Sequence, residues 1–144
     1  MRIARLNAYD LPEITKLYQA DFSDGWTADM LKSAFESGRF FALGAIENGA
    51  LIGVITVTSG LDDADIEGVV TASAHRGKGV AKTLLTAVID LLKADKKERI
   101  LLEVREGNVP AINLYKSAGF KEISIRKKYY ADGENALVME KVIL

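Results

Sequence analysis

The feature that most constrains the fold is a Gly-rich junction between a β-type run and a helix-type pattern. The run ends at Val69-Val70-Thr71, and Gly77 and Gly79 follow after a short stretch of small residues. Beyond the glycines, apolar residues recur at helical spacing, at Ala81, Leu84, Leu85, Val88 and Leu92. This order predicts a strand, a tight loop and the N-terminus of a helix.

Such a junction is suited to bind a phosphate. The first turn of a helix presents backbone N–H groups without intrahelical partners, and the helix dipole adds partial positive charge. Glycine allows close approach of an anion and tolerates positive φ. Two cationic side chains lie in the same loop. We therefore predict that a pyrophosphate binds at Arg76, Gly77, Lys78, Gly79, Val80, Ala81 and Lys82.

The motif is neither of two common phosphate motifs. A P-loop requires Ser or Thr after Gly-Lys, but Gly77-Lys78 is followed by Gly79. A dinucleotide fingerprint requires Gly or Ala three residues after its second Gly, where Lys82 stands. The loop instead matches Arg-x-x-Gly-x-Ala, read from Arg76 to Ala81. That pattern resembles the acetyl-CoA pyrophosphate loop of the GNAT superfamily of N-acetyltransferases.

Composition narrows the function classes. A length of 144 residues, 49% hydrophobic and 27% charged, predicts one globular domain over residues 1–144. The net charge of −1 and the dispersed basic residues argue against nucleic acid as a partner. No apolar run approaches a membrane span, and the first ten residues do not form a signal peptide. We expect a cytoplasmic protein without a membrane partner.

Residue types restrict the chemistry as well. The chain has no cysteine, which excludes disulfides, thiolate metal sites and a cysteine nucleophile. A single histidine argues against a His-based metal site, so we expect no metal.

Strand and helix signals alternate along the whole chain without a linker or repeat. A helix is predicted to begin after the cap Asp10, with Glu13 completing a capping box. Its apolar face is expected to carry Ile14, Leu17, Tyr18 and Phe22. A second helix is predicted at 27–37, where it is expected to bury Met30, Leu31, Ala34 and Phe35. Further helices are predicted at 79–93 and 110–117. Strands are predicted at 2–6, 40–46, 51–58, 65–71, 100–104, 123–130 and 136–143, and Asn48-Gly49 indicates a hairpin. The order β-αα-ββ-β-α-β-α-ββ predicts an α/β sandwich around a mixed sheet.

The residues after the loop extend the resemblance over nearly the whole chain. The segment 101–108, the segment 111–115 and Gly119-Phe120 are similar to the second half of the GNAT core. Together with Trp26, Arg126, Tyr129-Tyr130 and residues 134–139, they resemble the bacterial enzymes that acetylate the N-terminal alanine of a small-subunit ribosomal protein. Three positions depart from that pattern: Ser73 replaces a proline, Asn135 replaces an acidic residue, and no proline precedes Trp26.

The resemblance implies a fold, a donor and an acceptor. It implies a GNAT-like fold with a mixed, mostly antiparallel sheet of about seven strands and about four helices. Acetyl-CoA is then the co-substrate, and the N-terminal alanine α-amine of a ribosomal protein is the expected acceptor. A polyamine, aminosugar or amino acid is the alternative acceptor. An acyl-CoA-binding module without catalysis is the alternative of another class, and the oligomeric state stays open.

Without a cysteine, direct attack of a neutral amine on the thioester is the simplest route. The oxyanion that forms needs hydrogen-bond donors. We expect these to be the N–H groups of Val69, Val70 and Thr71, where the strand ends and separates from its neighbour.

Glu103 is the first candidate for the general base. It is the charged residue in an apolar strand-type run, and burial raises a carboxyl pKa towards the value that a base needs. Alternatively, it lies on an exposed face and pairs with Lys or Arg. The resemblance to the ribosomal-alanine branch assigns the base to this position. Glu67 is the rival, because other superfamily members have a base there.

Tyr115 is the candidate general acid for the departing CoA thiolate, a role that the resemblance implies. Asn108 is expected to contact the pantetheine arm, or to cap the following helix. His75 is expected to be an exposed loop residue. For Tyr115 the alternative is simple core packing.

The acceptor side is less defined by the sequence. Trp26, Tyr129 and Tyr130 are expected to line a slot for a peptide N-terminus, and Glu67 to bind its ammonium group together with Asp132 and Glu134. If the two tyrosines alternate on a strand, one of them belongs to the core.

Overall fold

The computed structural model describes residues 1–21 and 26–144. The strands are β1 (Arg2–Arg5), β2 (Phe40–Glu47), β3 (Ala50–Ser59), β4 (Asp63–Thr71), β5 (Arg99–Arg105), β6 (Lys121–Arg126) and β7 (Ala136–Val142). The helices are α1 (Leu11–Asp21), α2 (Ala28–Glu36), α3 (Val80–Ala94) and α4 (Val109–Ser117). Two short 3₁₀ turns, Ala8–Asp10 and Ser73–His75, precede α1 and α3. None of these helices is long and apolar enough to cross a membrane.

The seven strands form one sheet in the order β1-β2-β3-β4-β5-β7-β6. All neighbouring pairs are antiparallel except β4 and β5, which are parallel. A parallel pair needs a crossover connection, and α3 supplies it. The predicted fold class, a mixed and mostly antiparallel sheet with four helices, is confirmed.

Each face of the sheet carries its own apolar core. The larger core lies between the sheet and the helices α3 and α4, and includes Leu84, Val88 and Ile112. The smaller core lies under α1 and α2 and includes Ile14, Tyr18 and Leu31. The apolar side chains that recur with a period of 3.6 residues along each helix thus pack against the sheet.

The hairpin between β2 and β3 has the predicted turn. Asn48 and Gly49 have φ values of 51° and 76°, which a two-residue turn of this kind requires at both positions.

Three local predictions were wrong. Asn7, and not Asp10, caps the first helical segment: the Asn7 side chain accepts from Tyr9 N–H, while Asp10 accepts from Asn7 N–H at 2.8 Å. Met30, predicted to be buried in α2, is 50% exposed. The strand predicted to reach residue 130 ends at Arg126. Phe22, which was predicted to lie on the apolar face of the first helix, is outside the described residues.

Candidate active site

The candidate site begins where β4 and β5 diverge. Their parallel pairing runs from Asp63↔Arg99 to Ile66↔Leu102, after which β4 continues along β3 and β5 along β7. The separation of the strand that ends at Thr71 from its neighbour, which we expected from the sequence, is therefore present between β4 and β5. The next residue on each strand is a glutamate, Glu67 on β4 and Glu103 on β5. Both candidate bases thus lie where the gap opens.

The backbone of β4 offers donors to this gap. Ala72 N–H donates to Ile52 O at 2.8 Å across the β3–β4 pair. Alternate residues of an antiparallel strand bond to the same neighbour, so the N–H of Val70 also points towards β3. The N–H groups of Val69 and Thr71 point the other way, into the gap. Of the three predicted oxyanion donors, the geometry favours these two.

A β-bulge sets the position of Glu67. The β3–β4 register jumps between Ile66 and Gly68, so Glu67 is an extra residue without a direct partner. Below it, the buried Tyr18 hydroxyl and Thr56 Oγ1 are hydrogen-bonded at 2.6 Å. A Cβ atom at Gly68 would collide with that hydroxyl, so only glycine allows this packing. Bulges bend a strand and redirect side chains, and they are common beside active sites.

The electrostatic surroundings of Glu67 favour its neutral form. Partial burial raises the pKa of Glu67, and the nearby carboxylates of Asp65 and Glu103 raise it further. A hydrogen bond with Thr58 acts in the opposite direction. The pKa of Asp65 is also raised, first by partial burial and then by Asp63 and Glu103. A carboxylate with a raised pKa is a better proton acceptor at neutral pH.

Glu103 has a different environment from the one expected. Its side chain is 28% exposed, and its Oε1 lies 3.3 Å from Arg126 Nε. The ion-paired alternative therefore describes Glu103 better than full burial. Its neighbours Leu102 and Val104 are buried on one face of β5, and Glu103 lies on the other, partly exposed face. The Tyr129 side chain is also hydrogen-bonded to Glu103, which raises the pKa of Tyr129.

Arg126 completes a small cluster at the end of β6. Its guanidinium lies 5.5 Å from the centre of the Tyr129 ring while it pairs with Glu103. Tyr129 and Tyr130 follow in a loop, and their rings form an edge-to-face pair at 5.1 Å. They do not alternate on a strand, so the expectation that one of them belongs to the strand's core was wrong.

Asp132 and Glu134, in the loop between β6 and β7, are ion-paired with an arginine of the protein. Arg105 Nη1 lies 2.8 Å from both Asp132 Oδ2 and Glu134 Oε1. The role expected for these two carboxylates is therefore not supported, and Glu67 remains the candidate for that role. Sequence reasoning missed Arg105. The available signal was its position two residues after Glu103, on the same face of β5.

The Gly-rich loop and α3 have the geometry of an anion site. Gly77 and Gly79 have φ values of 76° and 79°, and a Cβ atom on either would meet no atom within 4 Å. The first intrahelical bond runs from Thr83 N–H to Gly79 O. The N–H groups before it have no partner within the helix, namely those of Val80, Ala81 and Lys82. The space around the glycines is open to a ligand.

Charged side chains surround this loop. Arg76 and Lys78 are both exposed. His75, expected to be an exposed loop residue, is instead half-buried, and its Nε2 lies 3.5 Å from Glu47 Oε2. This contact joins the start of the loop to the end of β2.

Tyr115 lies on α4 in the larger core. It is 8% exposed, and its ring forms an edge-to-face contact with Phe120 at 5.9 Å. Burial raises the pKa of Tyr115 to about 12, with a smaller contribution from Tyr130. Within the described residues, no side chain or backbone group is hydrogen-bonded to its hydroxyl. The Tyr115 hydroxyl is therefore a protonated donor, and it has no hydrogen-bond acceptor among the described residues.

The two remaining predicted residues have evident structural roles. Asn108 Oδ1 accepts from Ala111 N–H at 3.3 Å and caps α4, as its alternative assignment stated. Trp26 is half-buried, and its ring packs on Phe40 at a centroid distance of 5.5 Å. It belongs to the smaller core, on the side of α1 and α2.

Comparison with known proteins identifies the family of this chain. The model of the acetyltransferase (GNAT) family matches residues 11–120. The chain belongs to the GNAT acetyltransferase family. Acetyl-CoA is the donor that enzymes with this fold use.

Relatives of this GNAT protein are named as N-acetyltransferases. The [ribosomal protein bS18]-alanine N-acetyltransferase of Haemophilus influenzae is 33% identical over 141 residues, which is 95% of each chain. An N-alpha-acetyltransferase of Saccharolobus solfataricus is 48% identical over 68 residues, 46% of this chain and 41% of that protein. The crystal structure of the ribosomal-protein-S18-alanine N-acetyltransferase from Escherichia coli superposes with a TM-score of 0.93 at 30% identity. It covers 99% of this chain and 93% of that chain.

Proposed function

We propose that this N-acetyltransferase transfers the acetyl group of acetyl-CoA to the α-amine of an N-terminal alanine, most directly that of a ribosomal protein. The relatives that match along nearly the whole chain carry this activity in their names. The observation that carries the proposal is the gap between β4 and β5, which opens beside two glutamates and leads towards the N-terminus of α3.

The donor is proposed to bind along the side of the gap formed by β4 and the Gly-rich loop. The pyrophosphate would contact the N–H groups at the start of α3, with Arg76 and Lys78 supplying positive charge. The positive φ angles of both loop glycines and the open space around them support this assignment. Asn108 and Tyr115 belong to α4, the helix that follows β5: Asn108 caps its start and Tyr115 lies near its end.

The thioester carbonyl is proposed to lie near the β4 backbone. The N–H groups of Val69 and Thr71, which point into the gap, would then stabilise the oxyanion that forms on attack by the amine. Preorganised donors of this kind are effective because they need no rearrangement during the reaction.

The acceptor amine must lose a proton before it attacks. We propose that Glu103 accepts this proton, as the resemblance implies, with Glu67 as the rival. Glu67 has the raised pKa that favours a base, whereas Glu103 has the contacts to Tyr129 and Arg126 that orient it. Tyr115 would donate to the sulfur of the departing CoA. Tyr129, Tyr130 and Trp26 are proposed to line the acceptor end.

A panel of acceptors tests the proposal. The protein is mixed with acetyl-CoA and each of four acceptors: an Ala-starting peptide, a Ser-starting peptide, an N-terminally blocked lysine peptide and a free polyamine. The release of CoA thiol is followed in each case. We expect the Ala-starting peptide to react fastest. Faster reaction of the polyamine would favour a small-molecule enzyme, and binding of acetyl-CoA without thiol release from any acceptor would favour a non-catalytic module.

A further inference from the structure

Arg105 connects the end of β5 to the loop between β6 and β7. Its side chain is 22% exposed, and Nη1 contacts Asp132 Oδ2 and Glu134 Oε1 at 2.8 Å each. The guanidinium carbon lies 4.1 Å from the centre of the Tyr130 ring, a cation–π distance. One side chain on a rigid strand therefore contacts three residues of the loop.

The same loop is tied to the turn between β5 and α4. Glu134 Oε2 accepts from Gly107 N–H at 2.8 Å. Asn135 forms two hydrogen bonds with Glu106. The backbone carbonyl of Asn135 accepts from Glu106 N–H at 3.0 Å, and its side-chain Nδ2 donates to Glu106 Oε2 at 2.9 Å. Asn135 is one of the positions that depart from the ribosomal-alanine pattern, and here its amide supplies a donor that an acidic side chain lacks.

The loop carries residues of the candidate acceptor site. Tyr129 is hydrogen-bonded to Glu103, two residues before Arg105 on the same strand face. Arg105 thus holds Tyr130 directly. It also holds Tyr129 indirectly, through the loop that both tyrosines share.

We propose that Arg105 is a positioning residue for acceptor binding: it holds the loop of residues 127–135 against β5, so that Tyr129 and Tyr130 line the acceptor end of the gap. The inference rests on the proposed function, since it assigns the loop to the acceptor. Arginine suits this role because its planar guanidinium both bonds to carboxylates and stacks on an aromatic ring. Lysine would keep the charge but lose the fork and the flat stacking surface.

Arg99 provides a matched control. It lies on the same face of the same strand and also bonds two carboxylates, Asp63 at 3.0 Å and Glu140 at 3.1 Å. It lies at the opposite end of β5, where β4 and β5 are still paired. A general loss of ion pairs would therefore affect Arg99→Gln and Arg105→Gln alike.

The test measures KM for the Ala-starting peptide, the Kd of acetyl-CoA and hydrogen exchange of residues 127–135. Arg105→Gln should raise KM for the peptide by ~10-fold or more, since a charge-assisted hydrogen bond is lost from each of two partners. The Kd of acetyl-CoA should not change. Exchange should accelerate at the loop amides that the structure shows as hydrogen-bonded: Lys128, Tyr130, Gly133 and Glu134. Arg105→Lys should give intermediate values, and Arg99→Gln should match the wild type.

Each result decides a separate question. An unchanged peptide KM in Arg105→Gln, or an equal rise in Arg99→Gln, would overturn the positioning role. If Arg105→Gln does not fold, Arg105→Lys decides by the same criteria. If the wild-type protein does not acetylate the peptide, the proposed function fails. The exchange experiment then still tests the contact itself, because unchanged exchange in the loop would show that Arg105 does not hold it.

Discussion

Removal of the Tyr115 hydroxyl tests the proton donor without disturbing the core. Tyr115→Phe keeps the ring, its burial and the edge-to-face contact with Phe120. It removes a hydroxyl that has no hydrogen-bond partner within the described residues, so no polar group is left unpaired among them. The melting temperature should therefore barely change.

The pKa of Tyr115 limits how the proton can move. The phenol has a pKa of about 12, and a thiol has a pKa of about 8.5. Complete transfer of the proton from the phenol to the thiolate would therefore be unfavourable by about 5 kcal/mol. We therefore expect the phenol to stabilise the thiolate as a hydrogen-bond donor while the C–S bond breaks, before full transfer. A hydrogen bond to a charged group contributes about 1.5–3 kcal/mol, which is about a 10- to 150-fold loss of turnover on substitution by phenylalanine.

The assay compares two acetyl donors. Turnover of the wild type and of Tyr115→Phe is measured with acetyl-CoA and with an acetyl thioester of a more acidic thiol. The loss should shrink with the more acidic thiol, because its thiolate departs with less help. Equal losses with both donors would refute the donor role and leave Tyr115 as a positioning residue. No loss with either would assign it to packing alone.

The remaining predictions concern the Gly-rich loop and the two glutamates. Gly79→Val should greatly weaken acetyl-CoA binding in calorimetry, whereas Gly38→Val, with a similar φ of 77° and equally open surroundings, should cost similar stability without changing that affinity. Glu103→Gln should lower turnover by ~10²-fold or more and remove the acidic limb of the pH–rate profile. Glu67→Gln should lower turnover less. A larger loss of turnover in Glu67→Gln would make Glu67 the base. Because the pKa of Glu67 is raised on folding, its contribution to stability falls as pH rises above the ordinary glutamate range. Glu67→Gln should therefore increase the unfolding free energy at neutral pH, and this gain should disappear below the unfolded pKa of about 4.3; a gain that persists there would contradict the electrostatic origin.

Local signals in the sequence were sufficient to predict most of the fold. The Asn48-Gly49 turn, the helix that begins after Gly79 and the cap at Asn108 are each determined by a few adjacent residues. Their backbone angles depend on short-range sterics and hydrogen bonds, which residue type reports directly. The order of helices and strands along the chain could be predicted because the two hydrophobic periodicities alternate clearly in the sequence.

The errors arose where distant residues decide the local structure. Residues 123–130 have a β-type composition, yet Lys128 has a φ of 51° and the strand has already ended at Arg126. The tyrosines that follow are held by Arg105 and Glu103, more than twenty residues earlier in the chain. Periodicity does not report such contacts.

The same limit applies to the candidate site. The glutamates, the loop glycines and Tyr115 were all selected from the sequence. The bulge at Glu67 lies next to Gly68, on which Tyr18 packs in a contact between α1 and β4. The ion pair of Glu103 with Arg126 depends on how β6 and β7 lie beside β5. Neither can be read from a local window.

The position of the transferred acetyl group on a peptide identifies the amine that this enzyme acetylates. The protein is incubated with acetyl-CoA and a peptide that begins with alanine and contains an internal lysine, and the product is fragmented in a mass spectrometer. We expect the acetyl group on the alanine α-amine, with the lysine unmodified. An acetyl group on the lysine side chain, with a free α-amine, would contradict this expectation.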